Sequence, residues 1–281
     1  MKLSILLDNN TIIDRYFLAE PAVSYFIETE NVKVLFDVGY SDAFLRNACK
    51  MKIDVMSADY LVISHGHIDH TGGLDILLKE CLEARLEYGT LKCPKILAHP
   101  EVFTPKFLDE KISLGIPVSE DALRGHFEIL KSTEPVWLDE KLVFLGEIER
   151  ENTFETPGPI GFRGGFSSGE RVPDDLPDDS ALAYVGTDGL YIITGCSHAG
   201  ICNIVSQARR VTGIDKVVDI IGGFHLLNPP EKQLRGTVEY FRNLKLRKLH
   251  ACHCTDFNSK VALAQTAELE EIGSGLVLEF Q

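Results

Sequence analysis

The sequence predicts an α/β fold built from layers of strands and helices, with a functional site at one edge of its sheets. Three observations support this prediction. A buried strand ends directly at a cluster of histidines and is followed by a helix. Later in the chain, a second strand ends at a cysteine and a histidine and is again followed by a helix. Strands then alternate with helices through the C-terminal half, as they do in an α/β layered core.

The first elements precede the histidine cluster. Apolar runs predict strands at residues 2–7, 22–28 and 32–38, and the T-E-N turn between the last two predicts a hairpin. Asp37 ends the third strand and Gly39 follows it. A helix is expected over residues 41–51, with Ser41 as its N-cap.

The histidine cluster lies in a glycine-rich turn. The run Y-L-V-I at residues 60–63 predicts a buried strand, and the apolar positions after the turn recur at helical spacing. Imidazole and carboxylate groups bind zinc, and also iron or manganese. Four of them in six residues exceed what one loop gives a tetrahedral ion, so we expect two ions, one bound by the first pair and one by the second. The four candidate ligands are His65, His67, Asp69 and His70.

A short strand and a long irregular segment follow. Residues 95–98 predict a strand, after which His99 is either a ligand or a loop histidine before Pro100. Between about 104 and 179 the periodicity is weak and prolines and glycines gather, apart from a strand at 143–145. Such segments tend to be lids or binding loops, so we expect a lid-like insertion within a single domain of residues 1–281. Its candidate substrate contacts, which could equally be solvated, are Phe162, Arg163, Phe166 and Arg171.

The second half repeats the order of strand, ligand and helix. Residues 181–185 and 190–194 flank T-D-G and predict a hairpin. The second strand leads into G-C-S-H-A-G, which places Cys196 and His198 before an apolar-periodic helix. Two matching halves of this kind indicate a sandwich with its site at one edge.

Two further strand ends carry histidines. The strand at 217–221 is closed by His225 and precedes a helix at about 232–244. The strand at 248–251 leads to His253, then to a helix at about 259–272 and a final strand, L-V-L-E-F. Cys252 and Cys254 flank His253, and in a continuous strand they would share the face opposite it. We therefore expect both to be buried, unreactive thiols.

Composition excludes several classes of function. With 28 basic and 42 acidic residues, the net charge is −14, which argues against nucleic-acid and membrane partners. The chain contains no dinucleotide fingerprint, Walker loop or G-x-S-x-G elbow. Seven scattered cysteines do not indicate a disulfide framework, and neither a signal peptide nor a membrane span is evident. We expect a cytoplasmic protein with a small-molecule substrate.

At its histidine cluster the sequence resembles the metallo-β-lactamase superfamily, whose signature H-x-H-x-D-H it matches in full. The resemblance implies a four-layer αββα sandwich with one or two metal ions at one edge of the two sheets, and hydrolytic chemistry in most members. Asp37 matches the strand-end aspartate that hydrogen-bonds the metal loop in the family and orients its ligands. His253 matches the family's last ligand histidine.

The sequence departs from the family where a bridging aspartate is expected. After Gly195 it has Cys196, Ser197 and His198 instead. Two alternatives follow: His198 ligates one ion, or Cys196 bridges the ions as a thiolate, because metals deprotonate a coordinating thiol. His225 is a ligand, a substrate contact or a proton shuttle.

The segments G-C-S-H-A-G-I, G-G-F-H-L and H-C-T are similar to a subfamily described as metal-dependent hydrolases of β-lactamase superfamily II. The resemblance implies a hydrolase of an ester, phosphoester or related substrate. Some archaeal members carry the label of a synthase that joins a dihydropterin diphosphate to ribofuranosylaminobenzene 5′-phosphate, which is the first alternative. A di-iron redox protein and a non-catalytic metabolite sensor are the others.

For the hydrolase we expect two divalent ions per chain, zinc first and iron or manganese as alternatives. Such an ion lowers the pKa of its water ligand towards ~7. Asp69 is expected to orient that water or accept its proton, and His225 or Ser197 to assist the leaving group.

Overall fold

The computed structural model describes residues 1–89, 93–155, 158–164 and 171–281, and these form two large β-sheets flanked by helices. The strands are β1 (Lys2–Leu7), β2 (Ser24–Glu28), β3 (Lys33–Phe36), β4 (Tyr60–Ile63), β5 (Lys95–Ala98), β6 (Lys106–Phe107), β7 (Ile129–Lys131), β8 (Val136–Trp137), β9 (Leu142–Phe144), β10 (Phe162–Gly164), β11 (Arg171–Pro173), β12 (Ala181–Gly186), β13 (Gly189–Thr194), β14 (Val217–Gly223), β15 (Lys248–Cys252), β16 (Glu268–Leu269) and β17 (Val277–Glu279). The α-helices are α1 (Ala43–Met51), α2 (Ile68–Thr71), α3 (Leu74–Tyr88), α4 (Glu120–Arg124), α5 (Ile201–Thr212), α6 (Glu231–Leu244) and α7 (Phe257–Leu263). Short 3₁₀-helices cover Val55–Ser57 and Pro100–Phe103.

Each large sheet has a parallel half and an antiparallel half. The first has the order β17-β1-β2-β3-β4-β5-β7, and β3, β4, β5 and β7 are parallel. The second has the order β16-β15-β14-β13-β12-β9-β8, and β13 to β16 are parallel. A small antiparallel sheet, β11-β10-β6, lies apart from both.

Three apolar clusters hold these layers together. The middle cluster joins the two sheets, with Phe36 from the first and Phe144 from the second fully buried in it. One outer cluster packs α1 and α3 on the first sheet, and the other packs α5 and α6 on the second. Helices therefore cover both outer faces, and the predicted four-layer αββα sandwich is confirmed.

Parallel strands bring their carboxyl ends to one edge of a sheet. The ends of β3 and β4 carry Asp37 and the histidine cluster, and the ends of β13, β14 and β15 carry the later candidate ligands. β1 runs in the direction of β3, since both are antiparallel to β2, so Asp8 at its end reaches the same edge.

The segment from 104 to 179 is more regular than expected. Its described residues add β7 to the first sheet, β8 and β9 to the second, and all three strands of the small sheet. These strands are only two or three residues long, which is too short to produce a periodic pattern in the sequence.

Two predicted helix boundaries were wrong. α1 begins at Ala43 instead of residue 41 and Asp42 is its N-cap, although the Ser41 hydroxyl accepts a hydrogen bond from Ala43 N at 3.2 Å. The helix predicted over 259–272 ends at Leu263, and Leu269 pairs with Leu249 in the second sheet instead. Edge pairing of this kind is a tertiary contact that local propensity does not report. Within the described part of the chain, no helix combines the length and apolarity needed to cross a membrane.

The buried Asn47 side chain should be important for stability. Its amide nitrogen donates to the carbonyls of Leu6 and Leu18, 2.7 and 2.9 Å away, and its oxygen accepts from Leu18 N. Asn47→Ala should lower the free energy of unfolding by about 2–4 kcal/mol, since it leaves buried backbone groups without partners. Urea denaturation measures the change. The neighbouring exposed Arg46→Ala is the control, and equal stability of both variants would contradict the expectation.

Candidate metal centre

The candidate ligands meet where strand ends of the two sheets converge. Side chains that follow β4 contact side chains that follow β13 and β15, and the side chain that follows β13 contacts one that follows β14. Six of the nine histidines form a continuous group of ring contacts: His65, His67, His70, His198, His225 and His253.

The metal loop, residues 64–70, brings its four candidate ligands together in pairs. His65 is fully buried, and its Nε2 lies 3.1 Å from His67 Nδ1. Asp69 Oδ2 lies 3.5 Å from His70 Nε2 and 3.3 Å from His253 Nε2. The loop thus sets His65 beside His67, and Asp69 beside His70 and the distant His253.

Asp37 holds the metal loop from behind. Its Oδ1 accepts a hydrogen bond from Ser64 N at 2.8 Å, and its Oδ2 accepts from Ser64 Oγ and His70 Nδ1, both at 2.7 Å. Because the Asp37 carboxylate accepts this hydrogen bond, Nδ1 of His70 carries a proton. The ring therefore directs its Nε2 atom towards Asp69. A Cβ at Gly195 would lie 2.3 Å from Ser64 Oγ, so glycine is needed for the second sheet to approach this network.

His198 reaches the loop from the second sheet. Its ring centroid lies 4.7 Å from that of His65 and 4.9 Å from that of His67. Asp179 holds the turn that carries His198, because its carboxylate accepts a hydrogen bond from Ala199 N at 2.9 Å. Burial raises the pKa of Asp179 to about 7, although hydrogen bonds from the backbone oppose this shift. The hydroxyl of Ser197 donates to Gly223 O at 2.6 Å and is therefore committed to the backbone.

His253 is positioned by two residues that follow β1. Its backbone N–H donates to Asp8 Oδ1 at 3.1 Å, and its Nδ1 lies 2.9 Å from Asn9 Oδ1. The Nε2 atom is thereby directed at Asp69. The sequence analysis did not identify Asp8 and Asn9. Like Asp37, they directly follow a buried strand, and this position could have indicated them.

The prediction that Cys252 and Cys254 share one face was wrong. Cys252 lies in the core, with its sulfur 3.3 Å from Tyr25 Oη, whereas Cys254 Sγ lies 3.3 Å from Cys196 Sγ at the candidate centre. β15 ends at Cys252, and His253 has a positive φ of 42°, so the strand alternation stops there. A left-handed backbone at a non-glycine residue is uncommon and typical of functional sites.

His225 completes the group from β14, also with a positive φ, of 50°. Its ring centroid lies 4.3 Å from that of His198. Burial lowers the pKa of its imidazole, but the neighbouring Cys254 sulfur outweighs burial and raises it. Burial likewise opposes ionisation of Cys254, yet hydrogen bonds to Cys196 and His225 lower the pKa of its thiol well below the ordinary value.

Three of the imidazoles are held neutral. Burial, followed by the charges of neighbouring groups, lowers the pKa of His65 and His198 well below the ordinary value. Burial also lowers the pKa of His67 to about 4. Neutral imidazole is the form that binds metal ions, so these rings are prepared as ligands.

His70 and Asp69 behave in the opposite way. Burial disfavours the charged form of both groups. The opposite charge of the partner side chain outweighs this effect in each case. Asp69 and Asp37 raise the pKa of His70 to about 9, and His70 and His253 lower the pKa of Asp69 well below its usual range. Without a bound ion, His70 is therefore protonated and paired with the ionised carboxylate of Asp69.

The donor set fits divalent metal ions. Among the described residues, His67 Nε2 and both ring nitrogens of His198 are buried without a hydrogen-bond partner, as expected for atoms that await a ligand. Three groups have one donor atom per residue within 4.8 Å of one another. They are Asp69, His70, Cys196 and His253; His65, Cys196 and His198; and Cys196, His225 and Cys254.

Four histidines lie outside these donor groups. One is His67, whose ring still contacts those of His65 and His198, and the other three lie away from the centre. His99 Nδ1 accepts from Glu101 N at 3.2 Å and caps a 3₁₀-helix. His250 Nδ1 pairs with Asp219 Oδ2 at 2.8 Å, and His126 follows α4.

The candidate substrate contacts of the insertion are engaged elsewhere. Arg163 pairs with Glu101 at 3.1 Å, and the Arg171 guanidinium lies 4.0 Å from the centroid of the Phe107 ring. Phe162 is partly exposed on β10, and Phe166 lies outside the described residues.

A cleft of about 600 Å³ opens beside His253 and Cys254. The other residues lining it are Asn9, Asn10, Pro21, Leu227, Thr255, Phe257 and Lys260. The centre is therefore reached from this side.

The comparisons with known proteins agree with this architecture. The model of the metallo-β-lactamase superfamily matches residues 19–211. The chain therefore belongs to the metallo-β-lactamase superfamily, as its H-x-H-x-D-H motif predicts, and it has the fold of the superfamily's metal-dependent hydrolases.

Its relatives differ in their assigned functions. A Methanocaldococcus jannaschii protein named 7,8-dihydropterin-6-methyl-4-(beta-D-ribofuranosyl)-aminobenzene-5'-phosphate synthase is 31% identical over 278 residues, which cover 94% of this chain and 91% of the relative. An uncharacterized protein of the same organism is 31% identical over 265 residues, 94% of each chain. The solved structure of Tm1679, described as a metal-dependent hydrolase of the β-lactamase superfamily, has a TM-score of 0.82 and 27% identity over 99% of this chain and 98% of its own.

A buried ion-pair network supports the metal loop and was missed from the sequence. Lys106 Nζ lies 3.0 Å from Asp174 Oδ2 and 2.8 Å from Asp178 Oδ1, and all three side chains are inaccessible. The second oxygen of Asp178 accepts from Gly66 N at 2.8 Å. Only the fold brings these residues together, since they lie 68 and 72 positions apart.

Lys106→Met should lower the free energy of unfolding by about 3–5 kcal/mol, because it leaves two carboxylates buried without their cation. Thermal and urea denaturation measure the loss. The exposed Lys111→Met is the matched control and should leave the stability unchanged. A Lys106 variant as stable as this control would mean that the network does not hold the loop.

Proposed function

We propose that this protein is a metal-dependent hydrolase of a small anionic substrate with an ester or phosphoester bond. The observation that carries the proposal is the convergence of six histidines, Asp69 and Cys196 beside an open cleft. Neutral buried imidazoles next to the ionised carboxylate of Asp69 support a site for two divalent ions, zinc first and iron or manganese as alternatives.

The cleft supports the choice of an anionic substrate. Lys260 supplies a positive charge at its wall, and the amides of Asn9 and Asn10 offer hydrogen-bond donors. The exposed ring of Phe257 offers an apolar surface for the remainder of the substrate. A net charge of −14 argues against nucleic acid as the partner, and seven free thiols accord with a cytoplasmic location.

The candidate ligands form two sets, one for each ion. His65 and His198 would hold one ion, with His67, whose ring contacts both of theirs, as a further ligand. Asp69, His70 and His253 would hold the other ion, and Cys196 lies within reach of both sets. Divalent ions supply a water of lowered pKa and polarise a substrate oxygen when bound.

Proton transfer is assigned to one of these ligands, Asp69, and to His225 beside them. Asp69 is about one-third exposed, and its carboxylate can orient the attacking water and accept its proton. His225 Nδ1 is buried without a partner among the described residues and can protonate the leaving group.

His67→Ala should reduce both bound metal and hydrolysis. We expect kcat/KM for a panel of phosphodiesters and lactones to fall at least about 100-fold, because a ligand is lost from the centre. Elemental mass spectrometry counts the ions, and His126→Ala, at a histidine outside the centre, is the control. A wild-type protein that binds metal but hydrolyses no member of the panel would contradict the proposal.

A transferase reaction is the second candidate. The 31% identity to the synthase-named relative over 94% of this chain favours it. In this case the same centre would bind the diphosphate of a dihydropterin diphosphate, and ribofuranosylaminobenzene 5′-phosphate would take the place of water. The cleft accords with both substrates, since Phe257 can stack on an aromatic ring and Lys260 can bind a phosphate.

Product analysis separates the two candidates. The metal-loaded protein is incubated with the dihydropterin diphosphate, with and without the second substrate, and products are identified by mass spectrometry. A coupled product that appears only when both substrates are present would establish the synthase. Release of diphosphate or phosphate without the second substrate would support the hydrolase.

A further inference from the structure

Two cysteine sulfurs and one imidazole lie together next to the cleft, which Cys254 borders. Cys196 Sγ and Cys254 Sγ are 3.3 Å apart, and with a ring nitrogen of His225 they form a group whose donor atoms all lie within 4.8 Å. We propose that Cys196, Cys254 and His225 form a thiolate locus of the metal centre, in which Cys196 is shared with the histidine and aspartate ligands. This inference rests on the metal-dependent function proposed above.

The backbone directs Cys254 to this position. Its sulfur accepts a hydrogen bond from His225 N at 3.2 Å and lies 3.2 Å from the carbonyl oxygen of Cys196. A Cβ at Gly223 would lie 2.8 Å from the Cys254 sulfur, so the glycine leaves the space that the thiol occupies. The sulfur is therefore fixed beside Cys196.

Cys252, only two residues away, shows what a purely structural thiol looks like here. It is fully buried between the two sheets, against the hydroxyl of Tyr25. Cys254 instead borders the cleft, where an ion can reach it. The difference between these neighbours indicates that Cys254 has a role beyond packing.

The chemistry of the group selects the metal. Two thiols and one imidazole are three ligands of the kind that zinc takes in catalytic sites, where a fourth position is left for water or substrate. Thiolates favour zinc, cobalt or cadmium over magnesium and manganese. Cys196 belongs to all three donor groups, so its sulfur can bridge them where the superfamily's aspartate is missing.

Cobalt spectroscopy tests the locus without an activity assay. Metal-free protein is titrated with Co²⁺ without air or thiol reductants, and the near-ultraviolet absorbance of thiolate–cobalt bonds is recorded. We expect a strong band in the wild type, about half of it in Cys254→Ser, and an unchanged band in the matched control Cys252→Ala. Elemental mass spectrometry counts the bound ions in each sample.

The outcomes distinguish this inference from the proposed function. Cobalt bound without a thiolate band, or with an identical band in Cys254→Ser, overturns the thiolate locus and leaves a histidine–aspartate metal site. A wild-type protein that binds neither cobalt nor zinc overturns both.

A second measurement uses the wild type alone, in case Cys254→Ser does not fold. Zinc should slow alkylation of Cys254 by iodoacetamide at least about tenfold, whereas magnesium should not. Peptide mass spectrometry locates the label, and the exposed Cys49 should react equally fast with or without zinc. Equal labelling of Cys254 in zinc and in magnesium would overturn the proposal.

Discussion

The buried carboxylate of Asp37 is the contact on which the metal loop depends. It is inaccessible to water, and three hydrogen bonds from Ser64 and His70 satisfy it. A buried charge without such partners would be costly, so the loop can adopt few other conformations while the sheet stays intact. Because Gly195 of the second sheet approaches the same network, this contact also fixes the distance between the two halves of the site.

The fold explains why so many candidate ligands meet at one place. Each sheet contributes a set of parallel strands, and their carboxyl ends lie at the shared edge of the sandwich. The chain then turns sharply after β3, β13, β14 and β15, where Asp37, Ser197, His225 and His253 all have positive φ. Surrounding hydrogen bonds hold these strained conformations in place, such as those that His253 donates to Asp8 and Asn9.

Membership of the metallo-β-lactamase superfamily defines the fold and the type of centre, but function belongs to the site. Relatives with similar architecture are named as a hydrolase and as a synthase. In the second half of this chain, where the sequence has no aspartate after Gly195, the donor atoms of Cys196, His225 and Cys254 lie within 4.8 Å of one another. The identity of the metal and the shape of the cleft should therefore decide which reaction occurs.

The sequence alone determined the features that depend on residues close together along the chain. The strand, H-x-H-x-D-H turn and helix, and the matching unit around Cys196, are local patterns that predicted the layers and the metal loop. Only the tertiary structure decided the remainder. Lys106 meets Asp174 and Asp178 only in the folded chain. Residues 268–269 form β16 instead of continuing the predicted helix, because they can pair with β15 at the edge of the second sheet. Cys254 points at Cys196 because the backbone turns at His253. The prediction that Cys252 and Cys254 share one face assumed a continuous strand without this turn.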